Sequence, residues 1–339
     1  MKNPTKNNAA ARSAAAIVGT DPHHMAMYVA ATGRRLSDAG EFSLGTVADA
    51  LSVQAADLCA QVGRFLAFDA EHHGQAQSLW PSLIVLAFPE WHSPPDLCLM
   101  LVMIVMMCRR NRSAGAAVHD FIEYSAGTAT LTLQCLLQGL AGIALDKAFV
   151  VDHDNTTATG MRLWINEMTV TKERALNWFG TQCSSFSILC KSNSQRWESN
   201  GFLGDMSKEF VRYGNRQMVI TSLLMLLSHW CGNVPVLEQP LNSTMPKCAP
   251  LRTALDFVEA TKVVTWHKAF GSASMKPLQI LSNSAVIASL RRPKPNCKSS
   301  QLAKHGGDGT LSGIKHKLLA SQAYTPMFGR AVADMMKGH

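Results

Sequence analysis

No two of the nine cysteines (Cys59, Cys98, Cys108, Cys135, Cys183, Cys190, Cys231, Cys248 and Cys297) have the short spacing that a zinc ribbon or a disulfide framework requires. They fall in apolar stretches and their number is odd, so they read as buried reduced thiols in a reducing compartment such as the cytosol. Long apolar runs are also missing. The longest, residues 97–108, has 12 residues and is too short to span a bilayer as a helix, so no membrane partner is expected. The aromatics (13 Phe, 7 Trp and 4 Tyr) are spread too thinly for a base-stacking platform. Phosphate loops of the GxxxxGK[ST] type, GxGxxG after a strand, GxSxG elbows and HExxH are absent. Asp152-His153-Asp154 is compact, but three adjacent residues in a polar turn rarely converge on a metal. This inventory leads us to expect no catalytic residues, no cofactor and no metal, and a protein that is not an enzyme.

What is present is a core and a charge asymmetry. Apolar residues make up 47% of the chain, enough to offset chain entropy and exclude disorder throughout. The formal charge is +8, and it is local: residues 261–339 hold twelve Lys and Arg against two Asp, whereas the other 260 residues hold 20 basic against 22 acidic side chains. One end of the molecule is therefore built to meet something anionic. The first 20 residues carry Lys2, Lys6 and Arg12 without an acid, and read as either a disordered basic arm or a mitochondrial-type presequence.

Apolar residues recur at helical spacing over residues 43–146, punctuated by Pro81, Pro89, Pro94 and Pro95. Helical patterns return over 161–178, 185–191, 209–230, 251–270 and 278–290. Only 149–151 and 262–266 tempt a strand assignment. These patterns predict a mainly α protein: a flexible N-terminal arm (1–42), a helical region (43–150), a core (151–290) and a basic C-terminal arm (291–339).

Within the core an ordered set of short motifs appears. Asn155-Thr156-Thr157-Ala158-Thr159 precedes Trp164; Cys190 is followed by Asn200-Gly201; then come Arg216-Gln217, Met245-Pro246, Ala254-Leu255-Asp256-Phe257-Val258-Glu259-Ala260-Thr261 and Met275-Lys276. In this order the set resembles the coat-protein core of flexuous filamentous plant viruses of the potyvirus family, over about residues 155–276. The match leaves residues 1–150 unaccounted for. The resemblance implies an all-helical core with a groove for single-stranded RNA, in which Arg216 clamps a phosphate while Asp256 orients it. Ser194 is the candidate phosphate-contacting hydroxyl, although Arg196 stands at the family's serine position; Lys191 and Arg212 add positive lining. It also implies that neighbouring copies of the chain polymerise along the RNA as an open helix.

The expected function is thus a viral capsid protein that binds single-stranded RNA without sequence specificity, located in the virion and host cytoplasm. A nucleoprotein of a negative-strand RNA virus is one alternative. From another class, a helical scaffold or organellar protein with a basic arm is the second.

Overall fold

The computed structural model describes residues 94–297, 303–305, 311–313 and 321–338. The expected N-terminal arm, and the part of the helical region before residue 94, lie outside the described residues. The fold is α/β rather than mainly α. The helices are α1 (Pro94–Ser113), α2 (Thr130–Leu137), α3 (Ala158–Thr169), α4 (Glu209–Trp230), α5 (Ala249–Phe257) and α6 (Pro326–Lys337), with short 3-10 turns and a single α turn at Lys191–Ser194 between them. The strands of the main sheet are β1 (His119–Tyr124), β2 (Gly142–Leu145), β3 (Thr171–Phe179), β4 (Val234–Pro240), β5 (Thr261–Trp266) and β6 (Pro277–Ser282).

The physical reason for the correction lies in how buried parallel strands read. A strand covered on both faces presents a near-continuous apolar run, without the polar alternation that marks a half-exposed sheet. Residues 161–178, read as one helix, are most of α3 followed by most of β3. Residues 251–270 divide into most of α5, then β5 and a 3-10 turn; residues 278–290 begin in β6 and end in the 3-10 segment Ala285–Leu290. Residues 149–151 form no strand, whereas 262–266 do.

The sheet order is β2-β1-β3-β4-β6-β5. The first four strands are parallel, and β6 runs antiparallel to both of its neighbours, so β5 points the same way as β4. Side chains alternate between two cores. Ile122, Tyr124, Phe179 and Leu237 face one side and pack with residues of α1, α3, α4 and α5. Phe121, Trp178, Val236 and Ile280 face the other and pack with residues of α2, α6 and the 285–290 turn. Helices on both faces and a reversal of strand order beside β1 define a doubly wound α/β domain. The sheet takes β1 and β2 from one side of residue 150 and its other strands from the other side.

Helix α6 begins with Thr325, whose hydroxyl accepts from Phe328 N at 3.2 Å, and Pro326 occupies its first position. Phe328 is fully buried. Its ring meets Phe270 and Tyr324 at 5.0 Å each and Trp178 at 5.8 Å. The C-terminal helix is thereby part of the domain core rather than an appendage. Phe328→Ala is expected to cost about 3–5 kcal/mol of unfolding free energy, read as a lower urea midpoint; a loss of less than about 1 kcal/mol would mean that α6 is not docked as described.

Candidate functional site

In a doubly wound sheet the ligand crevice lies beyond the carboxyl ends of the strands, where the order reverses. Here that point is between β1 and β3, and a cavity of about 260 Å3 opens there. Its walls are the turns after β1 (125–128), β2 (Asp146 and Lys147) and β3 (180–184), with His153–Asn155, Tyr213 and Gln217, the end of β4 (Glu238 and Pro240), Lys276, Gln322 and Tyr324.

The turn after β1 has an unusual backbone. Ser125, Gly127 and Ala129 all have positive φ, at 56°, 59° and 51°. Non-glycine residues adopt this region only when their surroundings impose it. Two carboxylates do so here. Glu123, at 0% exposure, accepts from Thr132 N at 2.8 Å and from Thr132 Oγ at 2.6 Å, serving the N-terminus of α2, where Ala129 offers no side-chain cap. Asp146 Oδ2 accepts from Gly127 N at 2.9 Å, and Asp146 Oδ1 from Ala148 N at 2.8 Å. Gly180 lets the β3 turn approach closely: a Cβ there would stand 3.2 Å from Ser125 O and 3.3 Å from the Tyr324 hydroxyl.

The other walls are equally fixed. Trp164 Nε1 donates to His153 O at 3.0 Å. Gln217 Nε2 donates to Asn155 Oδ1 at 2.7 Å and to the Tyr213 hydroxyl at 3.1 Å, and Lys147 Nζ donates to that same hydroxyl at 2.6 Å. His153 is buried, and desolvation lowers its pKa, so it is neutral at physiological pH. Burial raises the Cys183 thiol, Lys276 opposes this and Glu238 adds to it; Cys183 is therefore a thiol rather than a thiolate at neutral pH. Glu238 is 7% exposed. Its Oε2 accepts from the Tyr324 hydroxyl at 2.9 Å, and that hydroxyl accepts from Trp178 Nε1 at 3.0 Å. Its Oε1 is buried without a hydrogen-bond partner among the described residues.

None of the six residues singled out by sequence lines this cavity. Arg216 is half-buried on α4, Asp256 is exposed on α5, and both are engaged in interactions. Ser194 is buried. Arg196, 1% exposed, donates to Ser185 O, Phe202 O, Leu203 O and Val211 O, to Asn215 Oδ1 and to Ser185 Oγ. Its guanidinium lies 3.6 Å from the centre of the Phe186 ring. Burial lowers it to about 10, still protonated at neutral pH, and it acts as an internal clamp on the segment between β3 and α4. Lys191 is half-buried with its ammonium over the Trp197 ring at 4.3 Å, and Arg212 is exposed and donates to Met206 O and Ser207 O.

The residues that sequence reading passed over are Glu123, Asp146 and Glu238. The available signal was a Glu-x-Ser-x-Gly-x-Ala run at the end of an apolar stretch, followed about twenty residues on by an acid. Fold and site together define a doubly wound α/β domain with a preformed crevice at its switch point. Compared with family models and with curated proteins, the chain matches none of them.

Glu123 makes the site's framework sensitive to pH. Burial pushes its carboxyl from 4.5 up to about 7, Asp146 adds to that rise, and the two Thr132 bonds oppose it. Between these values the native state retains a proton that the unfolded chain has released. The associated stability is therefore complete below about pH 4.5 and lost as pH rises through about 7. Relative to Glu123→Gln, the wild type should lose stability between about pH 5 and about pH 8. Urea midpoints at several pH values measure this, and parallel profiles for the two proteins would contradict it.

Proposed function

We propose that this chain is a group-transfer enzyme that holds an adenosyl cofactor in the crevice, specifically a methyltransferase using S-adenosylmethionine. The observation that carries the reading is the turn after β1, which has the form of a nucleoside-binding turn but is closed by acids. In dinucleotide folds the corresponding helix N-terminus is left open to receive a pyrophosphate. Here Glu123 already occupies Thr132 N, and Asp146 lies on Gly127 N. A phosphate at this point would find Thr132 N already taken and would face Asp146, whereas a ligand with ribose hydroxyls and positive charge fits. The reversed strand β6 between β4 and β5 also sets this sheet apart from the parallel order of the dinucleotide-binding folds, an argument from fold analogy alone.

The work is divided among several groups. Asp146 keeps lone pairs for the ribose hydroxyls beyond the two backbone donors it serves. The 125–128 turn leaves room for the ligand to lie against backbone, since no atom stands within 4 Å of the place a Cβ on Gly127 would take. Bound S-adenosylmethionine supplies an electrophilic methyl group; the protein's part is to orient it and exclude water. From the sequence reading we retain single-stranded nucleic acid as the proposed partner and acceptor. Residues 261–297 hold six Lys and Arg and no acid. Among them Lys276 lines the cavity, and Arg292 and Lys294 lie over Phe270 and Trp266, at 5.3 and 5.5 Å from the ring centres, near the carboxyl end of β5. A phosphate backbone would follow such a strip. The coat-protein reading drew on an all-helical groove, and the α/β fold removes that support.

Titration calorimetry with S-adenosylmethionine, S-adenosylhomocysteine, NAD and ATP tests the proposal. Binding of the two adenosyl-sulfur compounds, weakened at least about tenfold by Asp146→Ala through loss of a charge-assisted hydrogen bond, is the expected result. Absence of such binding, or a preference for NAD or ATP, would refute it.

A further inference from the structure

Two properties meet in Glu238 that coincide nowhere else among the acidic residues of the cavity wall. It is nearly buried, and one carboxylate oxygen is without a partner among the described residues. A carboxylate withdrawn from water at such cost normally has all its lone pairs engaged. Its other oxygen is held from outside the parallel sheet. The Tyr324 hydroxyl has one proton, and the acceptor bond from Trp178 Nε1 leaves that proton directed at Glu238 Oε2. The carboxylate cannot turn without breaking this chain of bonds. Tyr324 is itself anchored by its C-terminal neighbours: Thr325 Oγ donates to Phe270 O at 2.6 Å, and the Phe328 ring packs beside its own.

We infer that Glu238 is the specificity-determining residue of the acceptor side, its Oε1 receiving an N–H from an amino-bearing base, and that Tyr324 is the positioning residue that aims it. The inference rests on the nucleic-acid reading of the acceptor. The basic strip contacts phosphates and carries no sequence information, so discrimination must come from a group that reads a base edge. A carboxylate accepts from the amino group of cytosine or adenine. The single imide N–H of uracil is flanked by two carbonyl oxygens that repel a carboxylate. With Oε2 committed to Tyr324, one hydrogen bond is available and an unflanked amino group fits it best.

The test uses fluorescence anisotropy of the full chain with short labelled oligo(C), oligo(A) and oligo(U) ribonucleotides, with S-adenosylhomocysteine affinity measured in parallel. The wild type should bind oligo(C) or oligo(A) at least about fivefold more tightly than oligo(U), as expected of one base contact. Glu238→Gln should abolish that ratio. Tyr324→Phe should lower the thermal midpoint, because Glu238 Oε2 and Trp178 Nε1 lose their shared partner, and should reduce the ratio in the folded protein while leaving S-adenosylhomocysteine affinity near the wild type, a separation that a purely structural tyrosine would not give. Equal binding of all three oligonucleotides, no binding of any, or an undiminished ratio in a folded Tyr324→Phe protein would overturn the inference. The two readings fail separately. Loss of the oligonucleotide preference with cofactor binding intact leaves the methyltransferase proposal standing, and the preference without cofactor binding leaves Glu238 standing.

Discussion

The buried carboxylate of Glu123 on the N-terminus of α2 is the interaction on which the rest of the crevice depends. It fixes the first turn of the helix from the strand beneath, and so lets Ser125 and Ala129 hold a backbone conformation that neither favours alone. Asp146 ties the same turn to the end of β2. The turn is therefore rigid before any ligand arrives, which lowers the ordering cost of binding. It is also negatively lined, and this separates ligands that share a nucleoside but differ in charge.

The C-terminal segment completes the opposite wall. Tyr324 reaches the crevice because Thr325, Pro326 and Phe328 seat α6 on the face that also carries Trp178 and Glu238. The sheet contributes two carboxylates to this face, Glu123 from β1 and Glu238 from β4. Burial and the nearby Glu238 push the Tyr324 hydroxyl far above its ordinary range, so it remains a donor at every physiological pH. One end of the cavity is thus organised around backbone and ribose recognition, and the other around a fixed hydrogen-bond acceptor.

Parts of this were legible in the amino-acid sequence. The helix expected over residues 209–230 has the bounds of α4, because a long apolar run with helix formers leaves little else. The sheet was not legible, because β1, β3, β4 and β6 are covered on both faces and so lack alternation. A search for glycine spacing could not find the site turn either: two of its three left-handed positions are Ser125 and Ala129, held by Glu123 rather than allowed by glycine. Arg196 shows the converse error. A basic residue in a polar loop reads as a ligand contact, yet here its charge is spent on four carbonyls and two side chains inside the protein. Its role depends on chain segments that converge only in the fold. The basic character of residues 261–297 was plain in the composition, and only the fold sets part of it beside the crevice.

The central claim is that an adenosyl ligand sits between the β1 turn and Asp146. Hydrogen–deuterium exchange with and without S-adenosylhomocysteine tests it most directly. Slowed exchange is expected to concentrate in residues 125–132 and 146–148, with α5 around Asp256, which is not part of the cavity wall, unchanged. Protection confined to α5, or none near the β1 turn, would contradict it.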